Sequence, residues 1–583
     1  MQLPIHTASG IPWGWRSNDD RTIQAMAQQQ GISELLARIM VGRGVTLDSA
    51  TRFLNPSLRE DLPNPSHLLD MDKAVARIIA AIHTNQPIAI FGDYDVDGAT
   101  STALLLDYFS ALGVSARPYI PDRMKEGYGP TVGAFDTLIQ HGIKLIITVD
   151  CGTMAHAPIA HANAQGVDVI VIDHHSSDGH LPPAFAVVNP NRADETSPCG
   201  ALAAVGVTFL LLIALTKNLR EAGFFSTMPR EPKLLAMLDL VALGTVCDVM
   251  PLTGLNRTFV AQGLKVLAQR QRIGLASLSD VARMNELPTT YHLGFLLGPR
   301  INAGGRVGES GLGTELLTTQ DPDHATAIAA RLDHYNTERQ AIEASVLEQA
   351  LALAEAQANM PVMLIAAEGW HQGVIGIVAG RLKEKYARPV AVISLENGVG
   401  KASARSVTGA DMGAAIHAAH AQGMLLHGGG HAMAAGFSVL AEQIPALHAF
   451  LVARMEAAVN AYSEARITRL DGWISCQSAT MELLDDIGRA APYGMGNPSP
   501  KFALNAAKIV RVDVLKEKHL RCILTDDVGG ERLTAMAFGA VGTPLGEWLQ
   551  SGMKLHLAGE LKRNVWQGEA SAQFIIADAA KIV

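Results

Sequence analysis

The stretch PIAIFGDYDVDG, Pro87–Gly98, decides the fold. A β-type apolar run ends at Phe91 and delivers three aspartates, Asp93, Asp95 and Asp97, at alternate positions. If the backbone there is extended, Asp95 and Asp97 point the same way. Two further runs repeat the arrangement. Lys144–Val149 leads to Asp150 in TVDCG, and Val167–Ile172 leads to Asp173, His174 and His175 in VIDHH. Asp248 follows in GTVCDVMPL. In a parallel α/β sheet the carboxyl ends of the strands share one edge, where ligands bind. Carboxylates crowded at that edge repel one another unless cations neutralise them. Two divalent cations fit such a set better than one. Helix capping or turn formation accounts for any single strand-end Asp. It does not account for the set.

Carboxylates with histidine suit Mn²⁺, and carboxylates with water suit Mg²⁺. A pair of such ions clamps the attacking and leaving oxygens of an in-line phosphoryl displacement. Phosphate chemistry also calls for cationic partners. Arg300 and Arg306 flank INAGG, read as a glycine-bearing turn that lets the backbone approach an anion, with Asn302 inside it. KASARS offers Lys401, Ser403 and Arg405 together, and Arg123 follows the first acidic motif in PDRMKEGYG. Arginine forks match phosphate oxygens. For a lone arginine a structural ion pair is the better expectation.

The chain has 583 residues, enough for three to four domains of roughly 150 residues each. Its formal net charge is −9, which does not mark a protein that coats nucleic acid electrostatically. Five cysteines, widely spaced and without a CxxC, favour reduced thiols and a cytoplasmic setting over a disulfide frame or zinc ribbon. The start MQLPIHTASG lacks the basic and apolar runs of a signal peptide. The longest apolar run, Leu202–Leu215, is shorter than the roughly 20 residues of a membrane span and reads as a buried helix. No GxxxxGK[ST] occurs, so no ATP chemistry is expected.

The expected fold class is α/β. Residues 1–70 read as a helical and irregular segment. Strand–helix alternation from residue 71 to 321 predicts a parallel-sheet domain. Residues 322–357 lack glycine and predict one long connecting helix. A second α/β domain spans 358–462, with strands at Pro361–Ala366 and Val390–Ser394. Over 466–583 about five short alternating runs predict a small β-barrel of the oligonucleotide-binding type, separable from the lobes upstream. In this barrel Lys562, Arg563 and Trp566, with Lys508, Arg511, Lys516, Lys518 and Arg521, interleave basic and aromatic groups as single-strand tracks do. A solvated basic face over a buried Trp is the competing reading.

Taken in order, GDYDVDG, TVDCG, VIDHH and GTVCDVMPL resemble the DHH phosphoesterase superfamily. GPRINAGGR, EGWHQGVIGIVAGRL, KASARS, GGGHAMAAG and APYGMGNPSPKF narrow the resemblance to RecJ-type single-stranded-DNA exonucleases, from about residue 70 to the end. Two positions depart from the expected pattern: Cys151 stands in place of Asn, and Cys247 in place of Ala. Neither removes a ligand.

The resemblance implies catalytic roles for Asp95, Asp97, Asp150, His174, His175 and Asp248. It implies metal ligation by Asp93, Asp95, Asp97, Asp150, His174 and Asp248, with Asp150 the expected bridge. His175 is left between ligation, orientation of a neighbour and contact with the scissile phosphate. Ser403 and Arg405 are implied as the pair holding a 5′-phosphate end. Gly429, Gly430 and His431 are implied to close over the nucleotide.

The implied activity is metal-dependent 5′-to-3′ digestion of single-stranded DNA to 5′-mononucleotides, in recombination and repair. The implied partners are single-strand-binding protein and a helicase. Two rivals remain at this stage. One is a phosphodiesterase of short oligonucleotides or cyclic dinucleotides, which would need neither this length nor a barrel. The other is a non-catalytic replication scaffold, which the intact ligand set disfavours.

Overall fold

The computed structural model describes residues 6–123, 125–127, 129–177, 179–226, 231–526, 530–566 and 568–582. They divide into two compact units. One comprises Pro299–Leu312 and Thr326–Arg466, and the rest of the chain forms the other. No helix among the described residues is long and apolar enough to cross a membrane.

The larger unit is built on a five-stranded parallel sheet. Its strands are β1 (Ile88–Gly92), β2 (Ala116–Tyr119), β3 (Leu145–Val149), β4 (Asp168–Ile172) and β5 (Ala186–Val188), in spatial order β2-β1-β3-β4-β5. Every residue of β1 and β3 is buried, as continuous apolar runs covered by helices on both faces should be. The chain leaves β1 toward β2 on one side, while β3 flanks β1 on the other. That reversal is where α/β sheets bind ligands. The register aligns the ends: Gly92 pairs with Val149, and Val149 with Ile172. Asp93, Asp150 and Asp173 therefore emerge side by side.

Helices α1 (Val96–Ala111) and α2 (Ala204–Glu221) pack on this sheet, and α3 (Leu238–Cys247) packs on both of them. The apolar run at Leu202–Leu215 lies largely in α2, buried along most of its length. The backbone of the acidic motif is extended at Asp95 but helical from Val96 onward. Asp95 is the N-cap of α1 and accepts hydrogen bonds from the N–H groups of Asp97 (2.9 Å) and Gly98 (3.1 Å). The alternation of Asp95 and Asp97 is thus a helix start, favoured because the cap satisfies otherwise orphaned donors.

The C-terminal strands form a sheet in the order 472–474, 502–515, 519–525, 533–537, 569–581, 554–566. It closes where 554–566 pairs back onto 502–515. The N-terminal segment is not independent of this barrel. Ile23, Met26, Leu36, Ile39 and Met40 share one core with Phe502, Leu504 and Phe574. Trp13–Trp15 pairs with Thr468–Leu470. Asp578 accepts from Ser9 Oγ (2.7 Å) and Trp13 Nε1 (2.9 Å), and Asp471 is paired with Arg16 and Arg43. The two ends of the chain build one domain.

The smaller unit holds most of the long helix Pro322–Glu355 and a five-stranded sheet ordered 427–431, 434–440, 399–405, 390–396, 363–368. The stretch GPRINAGGR, read as a turn, is a helix, Gly298–Val307. From Pro299 onward it belongs to this unit, where Arg300 is bonded to Asp333 (2.9 Å). Its glycines permit close packing: a Cβ on Gly304 would lie 2.7 Å from the Glu309 carbonyl oxygen.

Candidate metal centre

The strand ends and the helix termini bring six carboxyls and two imidazoles together. His174 is 7% exposed, and its Nε2 lies 3.3 Å from Asp150, 3.4 Å from Asp248 and 3.8 Å from Asp97. Three triads have ligand atoms within 4.8 Å of one another: Asp93–Asp95–Asp150, Asp97–His174–Asp248 and Asp150–His174–His175. Asp150 and His174 each belong to two. That is the geometry of two adjacent cations with a shared carboxylate. Asp150 has φ +60, a strained conformation for a non-glycine residue of the kind that concentrates at functional sites.

The donor set fits a metal on a second ground. Asp93 Oδ1, His174 Nε2 and Asp248 Oδ2 are buried and have no hydrogen-bond partner. Unsatisfied buried groups of this kind are costly, and a cation resolves all three. Without one, burial and mutual repulsion raise four of these carboxyls. Asp93 and Asp150 are pushed well above the usual range, Asp97 to about 7 and Asp248 to about 9. Burial, with repulsion from His175, lowers His174 to about 4, which leaves the neutral imidazole a metal requires.

Asp97 has a second task. Its two carboxylate oxygens accept the N–H groups of Ala204 (2.7 Å) and Val205 (2.9 Å) at the start of α2.

His175 differs from His174. Its Nδ1 donates to Asp173 at 2.8 Å. Burial opposes the charge on His175, but Asp173 outweighs it and lifts the imidazole to about 9. Burial likewise opposes ionisation of Asp173, yet the bond from His175 and the Thr153 N–H hold its carboxyl well below the usual range. Asp173 was not among the predicted site residues, although it opens the motif that named the family. Asn189 and Asn191 gave no signal that drew attention. Asn189 Nδ2 donates to the His175 carbonyl (2.8 Å) and to Thr153 Oγ1 (2.9 Å), and Asn191 Nδ2 donates to the His174 carbonyl (2.6 Å). The VNPN stretch after β5 thus clamps the histidine loop. Arg123 stacks its guanidinium 5.1 Å over Tyr94, between Asp93 and Asp95 in sequence.

A second constellation lies within the smaller unit. Lys401, Ser403 and Arg405 share one face of strand Val399–Arg405, while Ala402 and Ala404 enter the core on the other. Arg405 Nη1 donates to Ser403 Oγ at 3.1 Å. A Cβ on Gly376 would sit 2.9 Å from that oxygen, so the N-terminal turn of helix Ile375–Tyr386 lies against the pair. Arg306 Nη1 donates to the Gly373 carbonyl (3.1 Å) just before this helix. A helix N-terminus with Arg and Ser beside it favours an anion. Asn302 is half-buried on the same helix as Arg306.

Other predicted residues have partners or packing reasons. Gly430 has φ +152, and a Cβ there would be 2.5 Å from the Ala434 carbonyl oxygen. Gly428 is equally confined, whereas a Cβ on Gly429 would meet nothing nearer than 3.9 Å; His431 is exposed. On the barrel, Arg563 pairs with Asp485 (2.6 Å), Lys562 with Glu560 (3.3 Å), and Arg511 and Arg521 both with Asp513. Four of the stripe's seven basic groups are therefore paired with acids, which sequence order alone concealed. The side chain of Trp566 lies outside the described residues.

Family comparisons fit this division. Residues 87–245 match the DHH family N-terminal domain, 357–457 the DHHA1 domain and 470–578 the RecJ OB domain. The chain is 36% identical to the single-stranded-DNA-specific exonuclease RecJ of Escherichia coli K12, over 93% of this chain and 95% of that protein. With RecJ of Bacillus subtilis 168 the identity is 33%, over 98% of this chain and 71% of that one. A crystal structure of RecJ in complex with Mn²⁺ from Thermus thermophilus superposes with a TM-score of 0.79 at 29% identity, covering 97% of this chain and 78% of that one. Its counterpart with Mg²⁺ gives 0.73 at 28% identity, covering 97% and 77%. The carboxylate–histidine edge, the matched domains and the near-complete overlap make this chain a member of the RecJ family of single-stranded-DNA-specific exonucleases.

Proposed function

We propose that this chain is a divalent-metal-dependent exonuclease that digests single-stranded DNA from its 5′ end and releases 5′-mononucleotides. The observation that carries the reading is the set of three triads linked through Asp150 and His174, with three buried ligand atoms left without partners. Asp93, Asp95 and Asp150 would hold one cation, and Asp97, His174 and Asp248 the other. Bound there, two such ions supply Lewis-acid stabilisation of the phosphoryl oxygens and activation of water.

The protein's own groups supply position. Asp173 holds the Nδ1–H edge of His175, 3.9 Å from Asp150, so that the ring's Nε2–H would serve as a donor to the scissile phosphate. Arg123, anchored on Tyr94, is a further cation at this edge. Ser403 and Arg405 would grip the terminal 5′-phosphate, and the adjoining helix N-terminus strengthens that grip. The proposed setting is DNA recombination and repair, with a single-strand-binding protein and a helicase as partners.

Digestion of a long 5′-phosphorylated single strand in Mn²⁺, set beside a duplex and a cyclic dinucleotide, tests the reading. Mononucleotide release from the single strand alone is expected. Cleavage confined to the cyclic dinucleotide would replace it with the small-substrate phosphodiesterase. In the same assay Arg405→Ala should narrow the preference for 5′-phosphorylated over 5′-hydroxyl strands by about one to two decades. Equal slowing of both would remove Arg405 from end recognition.

A further inference from the structure

Tyr291 and Phe295 are 58% and 70% exposed, unusual values for large aromatic side chains. Their rings stack on each other with centroids 5.3 Å apart and planes 22° from parallel. They sit on a π-helical segment, His292–Leu297, and on the residue before it. Such segments are rare and are found at functional sites more often than elsewhere. Leu293 and Leu297 are fully buried and anchor the segment, which leaves the aromatic face open.

The segment is tied to the metal centre. Cys247 directly precedes Asp248 and donates its thiol hydrogen to the Leu293 carbonyl, Sγ to O 3.4 Å. A Cβ on Gly298 would come within 2.4 Å of that sulfur, so the segment packs tightly on the end of α3. The loop 493–495 joins the same neighbourhood. The Tyr493 carbonyl accepts from Thr290 Oγ1 (2.5 Å), and the Met495 carbonyl accepts from Leu252 N (2.7 Å). Two more exposed apolar side chains belong to these linked segments: Val249, 58% exposed beside Asp248, and Met495, 55% exposed. Val249 has φ +58, an unfavourable conformation for a β-branched residue. Scattered exposed hydrophobics need no explanation, but four on segments bonded to one another beside a catalytic carboxylate do.

We propose that Tyr291 and Phe295, flanked by Val249 and Met495, are a base-stacking platform that positions the single strand where it runs past the metal centre. The inference rests on the exonuclease reading and assigns it residues. The occupant follows from place and chemistry. The segment that carries the patch is bonded to Cys247, next to the candidate ligand Asp248, and every base has an aromatic face irrespective of sequence. An open pair of stacked rings accepts such a face without hydrogen-bond readout. These are positioning residues, since they touch bases and not the reacting atoms.

Binding in metal-free buffer tests the platform apart from turnover. The probes are a fluorescent oligothymidylate and the same backbone carrying abasic sugars, each with the full chain. Phe295→Ala should weaken binding of the oligothymidylate about tenfold or more, the effect of one lost stacked base. It should leave the abasic strand's affinity where the wild type has it. Phe295→Trp should restore affinity, and its indole emission should be quenched by the bound strand. A merely structural role for the ring would weaken both strands equally and overturn the proposal. So would wild-type affinity in Phe295→Ala with an unquenched indole in Phe295→Trp, which would favour a protein-docking face in place of the platform. If the wild-type chain binds the strand and digests it in Mn²⁺ while these variants behave normally, the platform alone fails. If the wild type does neither, the exonuclease reading fails with it.

Discussion

Asp173 Oδ1 accepts from the N–H groups of His174 and His175 and from His175 Nδ1, and its Oδ2 accepts from Thr153 N. Its lone pairs are committed to the loop, so it acts by holding the two histidines. Asp173→Asn keeps the shape but turns one acceptor into a donor. It should lower Mn²⁺ affinity or turnover by about 10- to 100-fold, the usual effect of losing a group that orients a ligand. Calorimetric Mn²⁺ titration, with circular dichroism as a check on the fold, decides it; unchanged affinity and rate would return Asp173 to a simple turn former. Asp150 makes a sharper case because two of the triads use it. Asp150→Ala should abolish cleavage. Mn²⁺ at a hundred times its Kd should stabilise the wild type by about 2.7 kcal/mol per site. The variant should lose most of that gain in thermal melts, and full retention would disprove a shared carboxylate.

At the scale of elements, two glycines let helices come close enough to converge their carboxylates. A Cβ on Gly98 would lie 2.4 Å from the Asp93 carbonyl oxygen, so the first turn of α1 can fold back on the strand end only with glycine there. Gly244 in α3 faces α1 and α2: a Cβ would lie 2.4 Å from Thr100 Oγ1, 2.8 Å from Val205 Cγ1 and 3.0 Å from Asp97 Oδ1. Gly244→Ala should therefore push α3 away from α1 and separate Asp97 from Asp248. Overpacking of this kind costs about 1–3 kcal/mol. The expected result is a lower melting temperature together with weaker Mn²⁺ binding. A variant that melts lower but binds Mn²⁺ normally would show that the helices yield elsewhere. The long helix Pro322–Glu355 needs no such device, since its sequence has no glycine, and no proline beyond Pro322 at its first position, where proline is tolerated.

For the whole molecule, the joint core of the two chain ends changes what a truncation means. Removing residues 467–583 would strip Phe502, Leu504 and Phe574 from Ile23, Met26, Leu36, Ile39 and Met40. It would also take away the Ala491 carbonyl that accepts from the buried Arg257 (2.7 Å). Burying one large apolar side chain contributes roughly 1.5–3 kcal/mol, so losing several exceeds the stability of an ordinary domain. The barrel expressed alone should be aggregated or unfolded, whereas the same segment linked to residues 6–62 should fold. Cooperative unfolding of the barrel segment by itself, seen in chemical denaturation, would refute the joint core.

What the sequence determined by itself is the chemistry and the parallel sheet. Apolar runs ending in Asp or His are local patterns, and parallel strands must place their ends on one edge, so candidate ligands could be drawn from strand ends together with the family resemblance of the motifs. The long helix and the barrel strands were legible for the same reason: periodicity is local. Tertiary structure alone decided what depends on which segments come together. It gave Asp97 its bonds to Ala204 and Val205, and it recruited Asn189 and Asn191 to the histidine loop. It made a helix of GPRINAGGR and paired the barrel's arginines with nearby acids. It also joined the N-terminal helices to the barrel. A hydrogen bond or a shared core between residues hundreds of positions apart leaves no period in the sequence, because its favourable free energy appears only once the chain has closed on itself.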